Sequence, residues 1–208
     1  MHSTDVKYFL IKELGFERDK VEKLEIFHDE LIKQNKKYNF ISSRTEDEVW
    51  HRHILDSAQI IKFIQFSDHK SLSDLGSGAG FPGLVLAIYN KNSKFHVKLY
   101  EKSPVKCDFL RKLAKLIDIN VNVVPGNCLT HQINSDYIVC RAFKKLPEIL
   151  RISREIANKP HKLIILKGKN AQEEIKSASH EMNFEYKLEN SITDKESKII
   201  LCNVIKSE

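Results

Sequence analysis

Apolar residues recur at helical spacing from the first residues of the chain: Val6, Phe9, Leu10 and Leu14, then Val21, Leu24, Phe27, Leu31 and Ile32. This predicts two helices within residues 4–37, the first stopped at Gly15 and the second ending on Lys33, Lys36 and Lys37. Residues 38–44 break the period and read as a loop. Thr45 and Glu48 stand at capping-box spacing ahead of Val49, Ile54, Leu55, Ala58, Ile61 and Ile64, which predicts a third helix. From residue 71 the pattern changes. Short apolar runs at 71–75, 95–100, 121–124, 137–140 and 161–166 predict strands, with helices opening near Pro82, at Ser103-Pro104 and at Pro147. A polar helix near 171–180 follows. The runs 184–192 and 198–205, joined by the polar residues 193–197, predict an antiparallel hairpin. Five alternating units closed by a hairpin predict an α/β protein with a Rossmann-like, mostly parallel, seven-stranded sheet. Residues 1–70 are expected to form an N-terminal helical extension and residues 71–208 a single compact domain.

The densest chemistry lies between Ser73 and Gly83, where a buried strand end runs into a glycine-rich turn and a helix start. Such a junction makes a nucleotide-type pocket at the carboxyl edge of a parallel sheet. A dinucleotide fingerprint requires a third glycine where this chain has Phe81. The spacing of Asp74, Gly76, Gly78 and Gly80 instead resembles the first motif of S-adenosylmethionine-dependent methyltransferases. On that reading, backbone N–H groups from Gly76 to Gly80 face the methionine end of the cofactor. Asp74 holds the loop or reaches the ammonium through water, and Phe81 packs near the cofactor or in the core. Glu101, at the end of the second strand, is placed to accept from both ribose hydroxyls. Gly126 to Leu129, including Cys128, follow the third strand on the adenine side. Arg141 ends the fourth strand where cofactor and substrate meet, and Lys144, Lys145, Lys167 and Lys169 form a basic rim suited to phosphates. His53 and Asp56 are three apart and share a helical face, whereas His51 and His53 do not, so no metal pair is expected there.

Charge narrows the partner. Of 208 residues, 34 are Lys or Arg and 28 are Asp or Glu, giving a formal net charge of +6, which favours nucleic acid over a membrane. The cysteines at 107, 128, 140 and 202 lack the C-x-x-C spacing of a zinc or redox site. The start of the sequence lacks the apolar core of a signal peptide, and no apolar run reaches membrane-spanning length. A reduced, cytoplasmic, monomeric protein without a metal is the expectation.

Beyond the glycine loop, the sequence resembles the bacterial 16S ribosomal RNA guanine-N7 methyltransferases, the RsmG family, also called glucose-inhibited division protein B. The resemblance is carried by Tyr38-Asn39-Phe40 with Ser42, by Arg52 to Ser57, by Asp74 to Gly83, by Phe109-Leu110-Arg111, by Arg141-Ala142-Phe143 and by Leu166-Lys167-Gly168. It implies methylation at N7 of a guanine in the helix-18 loop of 16S rRNA, free or in an assembling small subunit, with S-adenosylhomocysteine as the spent cofactor. It also implies cofactor contacts at Gly76, Phe81, the Cys128-Leu129 step and Arg141. Family members often carry Arg and Glu after the third strand, where this chain has Asn127 and Leu129. Guanine N7 bears a lone pair and no proton, so the transfer requires alignment rather than a base. Arg141, Lys167, His53 and Asp56 are therefore candidates for positioning, and no acid or base is assigned. The alternatives are methylation of another RNA and a non-enzymatic RNA-binding protein.

Overall fold

The computed structural model describes residues 1–205; the end of the expected 71–208 domain thus lies partly outside the described residues. Seven strands form one sheet: β1 (Ser71–Leu75), β2 (His96–Glu101), β3 (Asn122–Pro125), β4 (Tyr137–Arg141), β5 (His161–Lys167), β6 (Tyr186–Asn190) and β7 (Lys198–Val204). Their order is β3-β2-β1-β4-β5-β7-β6. The first five are parallel, and β7 pairs antiparallel with both β5 and β6, so it sits between them. The order reverses between β1 and β4, and a crevice opens there beyond the carboxyl ends of the strands.

Strand side chains alternate between two apolar layers, as a sheet covered on both faces requires. Leu72, Leu99, Val139 and Ile164 join one layer with α1 (Ser3–Lys12), α2 (Arg18–Tyr38), α4 (Gly83–Tyr89) and α5 (Pro104–Leu116). Leu75, Ile138, Ile165 and Ile200 join the other with α6 (Leu146–Ile156) and α7 (Ala171–Glu181). Among the described residues, no helix is long and apolar enough to cross a membrane.

The expected regular third helix is replaced by a 3₁₀ segment (Ser43–Glu48), a π segment (Trp50–Leu55), a single α turn, α3 (Asp56–Ala58), and a second 3₁₀ segment (Gln59–Phe63). The Thr45–Glu48 capping box does not form. Ser42 takes the cap, accepting from the Arg44 N–H at 3.4 Å. Thr45 is drawn away to donate to the Ser42 carbonyl and to bond His53, while Glu48 pairs with Arg52. The helix expected at Pro82 begins one residue later, at Gly83, after a cis Phe81–Pro82 bond. The N–H groups of Gly80 and Phe81 both turn back to the Ser77 carbonyl, so the loop closes on itself before the helix starts.

Candidate active site

A cavity of about 630 Å³ opens at the carboxyl edge of β1, β2 and β4, lined by the glycine loop, Glu101, the Gly126–Leu129 turn and Arg141-Ala142-Phe143. The glycines are held by close contacts. A Cβ on Gly76, at φ +71°, would lie 2.7 Å from the Phe143 ring, and one on Gly83 would lie 2.6 Å from Asp74 Oδ2. Gly83 therefore sits directly over Asp74 and donates its N–H to Oδ2 at 2.9 Å, satisfying a donor at the start of α4.

Asp74 is fully buried beneath the loop, off the cavity wall, and its Oδ1 has no hydrogen-bond partner. Burial pushes its carboxyl up to about 7, against the opposing hydrogen bonds from Gly83 and Ser77. Glu101 reaches the cavity. It accepts the Gly78 N–H at 2.8 Å and the Ser103 N–H at 2.7 Å, one on each oxygen, which leaves lone pairs on both. The structure thus gives Gly78 a carboxylate partner from the protein itself, and Gly76 and Ser77 donate to the Tyr100 carbonyl. Gly80 is not on the wall: its N–H closes the turn.

Arg141 is the centre of a second group. Its Nη1 donates to the Arg52 carbonyl at 2.9 Å and meets Asp56 Oδ2 at 3.3 Å, and its Nη2 donates to His53 Nδ1 at 2.8 Å. Because a guanidinium only donates, His53 Nδ1 must accept, so the proton sits on Nε2 and is directed at Thr45 Oγ1, 3.0 Å away. Burial, then the charges of Arg141 and Arg52, hold the imidazole neutral down to about 3. Burial also lowers Arg141, and the Asp56 carboxylate opposes that shift. Phe81 stacks on His53 at 5.1 Å and on Phe27 at 4.9 Å, and the Arg141 guanidinium lies 5.1 Å from its ring centre. Phe81 is therefore a core residue and a cavity wall at once.

The fold brings together Gly76, Gly78, Phe81, Glu101, Cys128, Leu129, Arg141 and His53 around one cavity. Asp56 touches it only through Arg141. Lys167 does not line it: its ammonium pairs with Glu174 at 2.7 Å and donates to the Lys144 carbonyl, which ties β5 to the turn before α6. Lys144 stands on the rim and Lys145 and Lys169 are exposed. Residues with no site role expected from the sequence include Ile41 and Phe143 on the wall and Thr45 behind His53. Gln59 and Thr193 also went unread, and both bond Asp56 Oδ1, at 2.8 Å each.

The chain matches the family described as "GidB: rRNA small subunit methyltransferase G" over residues 20–202. It is 40% identical over 185 residues to the "Ribosomal RNA small subunit methyltransferase G" of Rickettsia felis, an alignment covering 88% of this chain and 93% of the relative. Among solved structures it is similar to a mutant of MtNAS in complex with S-adenosylmethionine, at TM-score 0.60 and 14% identity over 98% of this chain and 77% of that one. It is also similar to a SAM dependent methyltransferase from Aquifex aeolicus, at TM-score 0.58 and 15% identity over 84% of this chain and 98% of that one. Likeness at that level of identity establishes a common fold, the Rossmann-like sheet with an antiparallel C-terminal hairpin that the sequence predicts.

Proposed function

Because the chain belongs to the family of small-subunit ribosomal RNA methyltransferases G, we propose that it methylates N7 of a guanine in the helix-18 loop of 16S rRNA, using S-adenosylmethionine. The observation that carries this reading is the convergence of the glycine loop, Glu101 and the Arg141–His53 pair on one cavity of about 630 Å³.

The residues present fit the cofactor. Glu101 keeps lone pairs on both oxygens for a ribose diol, Phe81, Tyr100 and Cys128 supply apolar wall, and the Ser77–Ala79 bend leaves main chain rather than bulky side chains against the space. When bound, S-adenosylmethionine supplies an electrophilic methyl group on a sulfonium. The chain's own contribution is alignment. His53 has no free nitrogen for a substrate proton, since Nδ1 accepts from Arg141 and Nε2–H goes to Thr45. That suits a nucleophile which carries no proton, and nothing in such a transfer calls for a metal. Arg141, held over Phe81 and neutralised by Asp56, forms a fixed wall against which a base can be oriented without a net charge opposing the cationic product.

Lys102, Lys106 and Lys144 around the mouth suit the phosphates of the RNA. On this reading residues 1–70 are a helical extension of a methyltransferase domain beginning at residue 71. That extension contributes Phe40, Ile41 and His53 to the wall and forms one side of the RNA cleft. N7 lies on an edge that is open in a loop and deep in an A-form groove, so an unpaired guanine is the target.

The test is to supply methyl-labelled S-adenosylmethionine with protein-free 16S rRNA and with small subunits, then digest to nucleosides and identify the labelled one by mass spectrometry. N7-methylguanosine is the expected product. Label on an exocyclic amine, a pyrimidine carbon or a ribose would sink the N7 assignment.

A further inference from the structure

Beside the main cavity lies a smaller hollow of about 230 Å³ between α2 and α5, and Phe40 belongs to the walls of both. Tyr38, the last residue of α2, stacks on Phe40 with ring centres 5.6 Å apart and planes 14° from parallel. Its side is nonetheless open: Tyr38 is 51% exposed, and the neighbouring Val105 and Leu116 are 42% and 59% exposed. A tyrosine packed for stability alone covers its faces; this one offers a ring to solvent within one residue of the cavity wall.

The segment that presents it is firmly held. Asn39 takes a left-handed cap conformation at φ +49° and donates its N–H to the Asn35 carbonyl. Asn35, buried at 2% exposure, donates to the Ile41 carbonyl at 3.1 Å and accepts the Ile41 N–H at 2.8 Å. The two carboxylates at the hollow, Glu30 and Asp108, are already paired with Lys33 at 3.1 Å and Arg111 at 3.4 Å. Lys112 on its rim and Lys106 on the cavity wall leave the strip cationic.

Exposed aromatic rings beside cations are how proteins hold unpaired nucleotides, the base on the ring and the backbone along the charges. We propose that Tyr38 is the stacking platform for an unpaired base next to the target nucleotide of the RNA substrate. The strand then passes Phe40 into the cavity, with Lys106 and Lys112 along its phosphates. This rests on the RNA-methylation reading above and adds to it a substrate-binding residue outside the cofactor cavity.

The experiment measures binding alone. A fluorescently labelled stem–loop RNA and a fully paired duplex of equal length are titrated at fixed salt with the wild type, Tyr38→Phe and Tyr38→Ala. S-adenosylhomocysteine affinity is measured for each by calorimetry. The wild type is expected to prefer the stem–loop, and Tyr38→Phe to stay within about twofold of it. Tyr38→Ala is expected to lose roughly thirtyfold on the stem–loop, the middle of the range for one stacked base, with duplex and S-adenosylhomocysteine binding unchanged. Wild-type affinity in Tyr38→Ala, an equal loss on loop and duplex, or weakened S-adenosylhomocysteine binding would each overturn the proposal, the last by showing that Tyr38 only props Phe40. No methyl is transferred, so a product other than N7-methylguanosine would end the earlier reading and leave this one standing.

Discussion

His53 and Asp74 drive the pH dependence of stability in opposite directions. The folded chain keeps His53 neutral down to about 3, against 6.5 when unexposed to the fold. Below that ordinary value the unfolded chain binds the extra proton, so this residue makes stability fall as pH falls toward 3. Asp74 does the reverse. It holds its proton to about 7 in the fold against 3.8 outside it, so the native state binds more protons across that window and stability falls as pH rises. The two contributions separate in one comparison. Asp74→Asn keeps an acceptor for Gly83 and shares the His53 contribution with the wild type. Its stability relative to the wild type should therefore rise between pH 4 and 7.5, by on the order of a few kcal/mol. Urea denaturation across that range checks it, and a difference that stays flat with pH would show that Asp74 ionises normally.

At the scale of elements, the broken helical stretch 43–63 locks the β6–β7 turn to the site. Gln59, 2% exposed, donates to Asp56 Oδ1 and Ser191 Oγ and accepts the Ile192 N–H at 2.9 Å, while Thr193 also bonds Asp56. Truncating it removes the acceptor of the Ile192 N–H and the bonds to Asp56 and Ser191, all part-buried, so Gln59→Ala should destabilise the protein by about 1–2 kcal/mol. Amide exchange should quicken first at residues 191–193, and unchanged exchange there would refute the lock. None of this is visible in sequence, because Gln59 and Thr193 are 134 residues apart and each reads alone as an ordinary polar residue. The strands and the glycine loop were legible because short apolar runs and the Asp74–Gly83 spacing are local signals. The 43–63 stretch was not: its apolar spacing is helical, yet His53, Asp56 and the Arg52 carbonyl are recruited by Arg141 from another element, Thr45 bonds the far side of His53, and those bonds override the regular ladder. For the same reason Lys167 reads as a rim cation in sequence, while Glu174 holds it inside.

The molecule as a whole carries a formal net charge of +6, and lysines gather at the mouth of the cavity. RNA affinity should fall steeply with salt as phosphate contacts release counterions. Lys106→Ala should shallow the log–log slope by roughly 0.7 to 0.9 while leaving S-adenosylhomocysteine affinity near that of the wild type. A parallel line with the same slope would remove Lys106 from the phosphate contacts. The sheet order has a different consequence. β7 is the later strand of its hairpin, yet it lies between β5 and β6. During translation β5 therefore waits as an unpaired apolar border until residue 204 has been made, and β6 has nothing to join. A nascent chain stalled before the seven residues of β7 should therefore expose that border and be captured by chaperones or aggregate more readily than one that includes them, which co-purification from stalled ribosomes would check.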